Sequence, residues 1–313
     1  EGEYLAAAGE NPLPDFDYAL IGQRGSHLIT SNDWQRGSEY LRMLAHGIPH
    51  QAPGLYMRLS EVCKQHGFDD ASEKYLQLVK QAGQRVGVKL LPPDQKEVFF
   101  NVVKRLADNA AAKQNWDEAI ADYSIYTQFE GSGKETLRKL AEMYAGKKDV
   151  LEALRVTEKA ILYGTDKDLQ DKKDQLYYSV KAEDLQAAHD DVKGWFDVAY
   201  CVKKSKSIVD LKSEDLDLLD WAEHLSTLAL VMQPKNVVAM VTRARCHLRR
   251  GETDGALKLL EDVREIKPSG NDESDAWYYA VKQLGMMYLD HFTRPDLAVD
   301  CFKTYQESIK SGA

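Results

Sequence analysis

The chain has little that would tie it together covalently. It holds four cysteines in 313 residues (Cys63, Cys201, Cys246 and Cys301), far apart and with no Cys-x-x-Cys pair. A disulfide framework is disfavoured, and the four read as small buried apolar residues. No apolar run approaches the about 18 residues that a bilayer-spanning helix needs. Positive charge is not in excess either: 41 Lys and Arg stand against 50 Asp and Glu, a formal net charge of −9. Wholesale nucleic-acid binding is therefore disfavoured, although a local basic stripe stays open. Proline is scarce, at 9 residues, while 43% of the chain is hydrophobic. That is ample for a large helical core. The first residue is Glu1 and not Met, so the chain reads as an excised segment or processed product. Compartment is left open.

No catalytic set can be assembled from spacing. Gly131-Ser132-Gly133-Lys134 resembles the tail of a phosphate loop, but Gln128 stands where the first Gly is required. Glu135 stands where Ser or Thr would hold magnesium. The segment reads as a turn between helices. Gly22-Gln23-Arg24-Gly25 is weaker still. His46 and His50 have a metal-compatible spacing, but Gly47 and Pro49 between them break the helix that would align the rings. The expectation is no metal and no cofactor. Adjacent carboxylates such as Asp69-Asp70 and Asp190-Asp191 read as solvated faces or helix starts. The chain is expected not to be an enzyme.

What is present is a period. Ala119 and Ala153 stand 34 residues apart, and so do Val103 and Leu137, Leu106 and Leu140, Ala107 and Ala141, Ala110 and Tyr144, and Trp116 and Val150. Ala222 and Ala256 repeat the interval, as do Pro234 and Pro268. Helix propensity alone would favour alanine, but it does not demand a fixed period. The interval is that of stacked units, each burying its apolar face on the next. Small residues at Ala107, Ala119, Ala141, Ala153, Ala244 and Ala256 would let two helices approach closely.

The pattern resembles the tetratricopeptide repeat. Leu284, Gly285 and Tyr288 have the spacing of that family's first helix, and Ala298 and Phe302 that of its second. Three extra residues are expected between them, around His291 to Pro295. In the preceding unit, His247 replaces the usual Tyr and Leu260 the usual aromatic. Tyr123 fills the aromatic slot of the Ala119 unit, and Thr157 departs from it in the next. Ala71 and Tyr75 are expected to hold the small and aromatic slots of an earlier unit.

This resemblance implies an all-α, right-handed superhelical solenoid of antiparallel helix hairpins, six or seven in number. Residues 1–32, rich in Gly and Pro, predict an extended lead-in. Residues 33–313 predict the repeat domain, with an inserted loop at 83–94 and an irregular middle at 165–213. The family places first helices on a concave face, with positions 2, 5 and 9 of each unit facing a ligand. Here these are Asn101, Lys104 and Asp108; Glu135, Arg138 and Glu142; Val238, Val241 and Arg245; and Tyr279, Lys282 and Met286. Some members capture a chaperone's C-terminal carboxylate with Lys at position 5 and Asn at position 9. Asp108 and Glu142 stand at position 9 here and would repel it. A partly apolar segment of mixed charge is the expected ligand, with Arg138, Arg245 and Lys282 offering paired hydrogen bonds. The implied role is a non-catalytic scaffold that binds a peptide or protein segment in its groove. The second reading is a regulatory or substrate-recruiting domain of a larger enzyme. Self-association is also open, through Leu297, Val299, Phe302, Tyr305 and Ile309 of the final helix.

Overall fold

The computed structural model describes residues 17–128, 133–211 and 215–311. The lead-in expected over residues 1–16, and Gly131 and Ser132 of the glycine-rich turn, lie outside the described residues. Among those described there are 17 α-helices and no strand. The chain divides into two compact units at Thr165.

Unit 1 is a row of antiparallel hairpins: α1 (Tyr18–Thr30) with α2 (Trp34–Gly47), α3 (Ala52–Gln65) with α4 (Asp69–Val86), α5 (Pro93–Ala112) with α6 (Trp116–Tyr126), and α7 (Lys134–Gly146) with α8 (Val150–Ile161). Unit 2 starts with α9 (Lys167–Ser179) and two short helices, α10 (Ala182–Ala187) and α11 (His189–Val192). Three further hairpins follow: α12 (Val198–Asp210) with α13 (Leu216–Met232), α14 (Val237–Arg250) with α15 (Thr253–Arg264), and α16 (Asn271–Asp290) with α17 (Pro295–Ser311). The expected all-α array of antiparallel hairpins is thus present in each unit.

The hairpins share one register. Ala107 and Ala119, Ala141 and Ala153, and Ala244 and Ala256 are buried pairs, each twelve residues apart, at 0–2% exposure. Ser60 and Ser72 have the same spacing, and their hydroxyls meet at 2.8 Å. This corrects the expected slots by one residue: Ser72 and Leu76 face the core, while Ala71 and Tyr75 are only half-buried. In the last hairpin the pair is Gly285 and Ala298, one residue further apart, so the expected three extra residues reduce to one. A Cβ on Gly285 would stand 2.9 Å from the Phe302 ring.

The extended lead-in is corrected as well. Residues 18–30 form α1, capped by Asp17, whose Oδ1 accepts from the Leu20 amide at 2.9 Å. Gly25 pairs with Gly37 twelve residues on. These glycines serve a close helix crossing, which offsets the roughly 0.5–1 kcal/mol that glycine costs inside a helix. The expected loop at 83–94 is partly helix. Helix α4 runs on to Val86, and Gly83 lies under the Phe99 ring. Leu91, Phe99, Phe100 and Val103 form a second apolar cluster there.

The irregularity expected at 165–213 is confined to its first part. Helices α9, α10 and α11 form no hairpin of their own, and α10 packs on α13. Ala188, 35 residues after Ala153 and so one residue out of phase, falls between α10 and α11. Helix α12 is an ordinary first helix. Asp197 caps it through the Tyr200 amide at 2.8 Å, and its small slot is the fully buried Ser205. Ser205 and Ala222 lie seventeen residues apart. The extra residues fall between α12 and α13, where 212–214 lie outside the described residues.

Candidate ligand-binding groove

Helices α12, α14 and α16 are the first helices of three successive hairpins, and neighbours among them are in contact. Their small slots, Ser205, Ala244 and Gly285, are buried. The adjoining inner faces of the three helices enclose a cavity of about 310 Å³. Helix α14 supplies Val238, Val241, Thr242 and Arg245 to it. Helix α16 supplies Asp272, Asp275, Ala276 and Tyr279, and helix α12 supplies Lys206 and Asp210.

The floor is apolar: Val238 and Val241 are nearly buried, while Tyr279 is 38% exposed. The α12 side is an internally closed charge set. Arg245 Nη1 donates to Asp210 Oδ1 at 2.7 Å, and Lys206 Nζ donates to Asp210 Oδ2 at 2.8 Å. Burial pushes the Asp210 carboxyl up, but the hydrogen bonds from Lys206 and Arg245 outweigh it and hold the group below its ordinary value. The Arg245 guanidinium also lies over the Tyr279 ring, 5.4 Å from its centroid, a cation–π geometry that fixes the ring. On the α16 side, Asp272 and Asp275 have no hydrogen-bond or ion-pair partner among the described residues.

Of the residues expected from sequence, Val238, Val241, Arg245 and Tyr279 come together here. Lys282 and Met286 lie about one and two turns further along α16; both are exposed and do not line the cavity. Asn101, Lys104 and Asp108 lie on α5, and Glu135, Arg138 and Glu142 on α7, all in unit 1. Asn101 and Glu142 are exposed and Lys104 is half-buried. Asp108 is engaged inside the fold, accepting from the Tyr123 hydroxyl and from Lys139 Nζ at 3.2 Å. Arg138 pairs with Glu135 at 3.6 Å.

Sequence reasoning missed Lys206, Asp210, Asp272 and Asp275. A signal existed for the first: Lys206 follows Ser205 as Arg245 follows Ala244. A serine in the small slot concealed that equivalence. Asp272 and Asp275 carry no such signal, because acidic residues near a helix start are unremarkable.

Two buried or half-buried carboxylates elsewhere are paired within the fold. Glu223 on α13 binds Arg250, with Arg243 and His247 each 3.6 Å away. Asp122 is fully buried on α6 and paired with Lys80 of α4. All four cysteines are buried. No group of three His, Cys, Asp or Glu among the described residues is arranged to hold a metal. No helix among them is long and apolar enough to cross a membrane.

No protein-family model matches the chain, and no curated protein matches it. Several solved structures show a likeness. A crystal structure of MamA is 19% identical, covering 66% of this chain and 96% of that chain, at TM-score 0.28. The C-terminal part of a TPR repeat-containing protein from Cytophaga hutchinsonii is 14% identical, covering 92% and 96%, at TM-score 0.31. A tetratricopeptide repeat protein from Parabacteroides merdae is 12% identical, covering 93% and 92%, at TM-score 0.30. Overlaps this loose carry no weight of their own. The fold assignment rests on the helices and their shared register.

Proposed function

We propose that the chain is a non-catalytic protein-interaction scaffold, and that the α12–α14–α16 groove of unit 2 holds a segment of a protein partner. The observation that supports this most is the convergence of Val238, Val241 and Tyr279 on one cavity. An apolar floor with an aromatic anchor and a polar rim is the anatomy of a peptide-binding groove. The salt bridges to Asp210 and the stacking of Arg245 on Tyr279 set the wall before a ligand arrives, which lowers the ordering cost of binding. The reading as a regulatory domain of a larger enzyme draws no support from the fold.

The test is a selection of peptides from a random library on the intact chain, followed by titration of the selected sequences. Tyr279→Ala is expected to weaken them by about tenfold or more, as loss of an aromatic anchor does. Lys104→Ala in unit 1 is expected to leave them unchanged. Binding that survives Tyr279→Ala together with Val241→Ala, in a variant with unchanged helicity, would remove the groove from consideration.

A further inference from the structure

We propose that the segment taken by this groove is basic and apolar: a Lys or Arg side chain held by Asp272 and Asp275, next to an apolar side chain on the Val238, Val241 and Tyr279 floor. The inference rests on the groove reading above and adds the sign of the ligand's charge. The sequence alone suggests a partly apolar segment of mixed charge.

The groove contains two cations, Lys206 and Arg245, and both already bind Asp210 through charge-assisted hydrogen bonds at 2.8 and 2.7 Å. A ligand carboxylate would have to share these cations with Asp210, whose like charge opposes it. A ligand cation displaces nothing. It meets Asp272 and Asp275, which are exposed and have no partner among the described residues. The two lie three residues apart on α16, one turn above each other on the same face. Tyr279 continues that stripe four residues on, so cation and apolar neighbour are recognised by adjacent turns of one helix.

A helix-start role does not account for both carboxylates. Asp272 stands in the first turn of α16, where the helix dipole favours a carboxylate, and Glu273 ties down the residue before the helix, its Oε2 accepting from the Ser269 amide and hydroxyl at 2.8 Å each. Asp275 stands in the second turn, where the favourable field of the helix dipole has faded.

The experiment uses the intact chain and four synthetic peptides of equal length: basic–apolar, neutral–apolar, acidic–apolar, and basic without apolar residues. Fluorescence anisotropy at two salt concentrations is the readout. The wild-type chain is expected to bind the basic–apolar peptide about tenfold more tightly than the neutral one, and the acidic one most weakly. This preference is expected to shrink with salt. Asp272→Asn with Asp275→Asn is expected to abolish the preference and leave neutral–apolar binding in place. Asp272→Lys with Asp275→Lys is expected to shift the preference towards the acidic peptide.

Equal binding of basic and neutral peptides, still lost in Tyr279→Ala, overturns this inference and leaves the groove reading standing. Indifference of every peptide to Tyr279→Ala overturns the groove reading itself. Light scattering on the Asn variant covers the remaining occupant: a wild-type dimer that becomes monomeric would show that a second copy of the chain fills the groove, and would overturn the proposal.

Discussion

Gly37 packs its α-carbon against the carbonyl of Gly25 across the first hairpin. A Cβ there would stand 2.8 Å from that oxygen, 3.0 Å from the Ile29 amide nitrogen and 2.6 Å from Ile29 Cγ1. Two of these neighbours are backbone and cannot swing aside. Gly37→Ala is therefore expected to destabilise the chain by about 1–3 kcal/mol. Gly194→Ala, with nothing within 4 Å of the new methyl, is expected to stay within about 0.5 kcal/mol of wild type. Urea denaturation of the two variants makes the comparison. Equal midpoints would contradict a close crossing at the start of the chain.

Lys80 and Asp122 tie the second hairpin of unit 1 to the third. Asp122 is fully buried, and Lys80 retains only 18% side-chain exposure. Removing one partner of such a pair leaves an uncompensated buried charge. Lys80→Met is expected to cost about 3 kcal/mol, and Lys80→Met with Asp122→Leu to recover most of that loss. Chemical denaturation of the single and double variants measures the recovery. A double variant as unstable as the single one would mean that the pair contributes through shape and not through charge.

Acid should act on two carboxylates with opposite sign. Burial pushes Glu223 up, but the Arg250 hydrogen bond, reinforced by Arg250, His247 and Arg243, leaves it below its ordinary value. Its contribution is present at neutral pH and is lost as pH falls below the ordinary carboxylate range, because the unfolded state then binds the proton more readily. Burial raises Asp122 above its ordinary value, with Lys80 opposing it only in part. Asp122 therefore favours the folded state more as pH falls. Thermal melts at pH 7 and near pH 4 should show a smaller acid-induced loss of stability in Glu223→Gln than in wild type, and a larger one in Asp122→Asn. The reverse order would refute both environments.

The four thiols should be silent in the folded chain. Burial, with the Glu223 carboxylate adding to it, pushes the Cys246 thiol up to about 11. Burial also raises Cys63 and Cys301. Since the thiolate is the reactive form, a chromogenic disulfide reagent is expected to label none of the four natively at pH 8, and all four in guanidinium. Rapid native labelling of Cys246 would contradict its burial on α14.

Much of the array was legible because it is written in spacing. The alanines of α5–α8, and Ala222 of α13 with Ala256 of α15, recur every 34 residues and occupy buried slots. Where other small residues do the same work, the reading slipped. Gly25 fell in the expected extended lead-in, Ser72 was passed over for Ala71, and Ser205 hid the small slot of α12. At a helix crossing only the size of the side chain matters, so Gly, Ala and Ser are equivalent there although their propensities differ. The slot residues vary in the same way. His247 stands where Tyr288 does one unit later, and both reach a glutamate on the preceding second helix, Glu223 at 3.6 Å and Glu261 at 2.5 Å.

The groove was legible in part. Val238, Val241, Arg245 and Tyr279 followed from the resemblance, which puts positions 2, 5 and 9 of each unit on one face. Their electrostatic role did not. Arg245 reads in the sequence as a donor awaiting a ligand. In the fold it is paired with Asp210, 35 positions earlier, and the groove charges without a partner among the described residues are the carboxylates of Asp272 and Asp275. Spacing along a chain determines which residues share a helix face and which must be small, because those are properties of one helix and its neighbour in sequence. Which charges cancel is decided only when helices from successive hairpins are brought side by side, because a Coulomb interaction depends on distance through space and not on position along the chain.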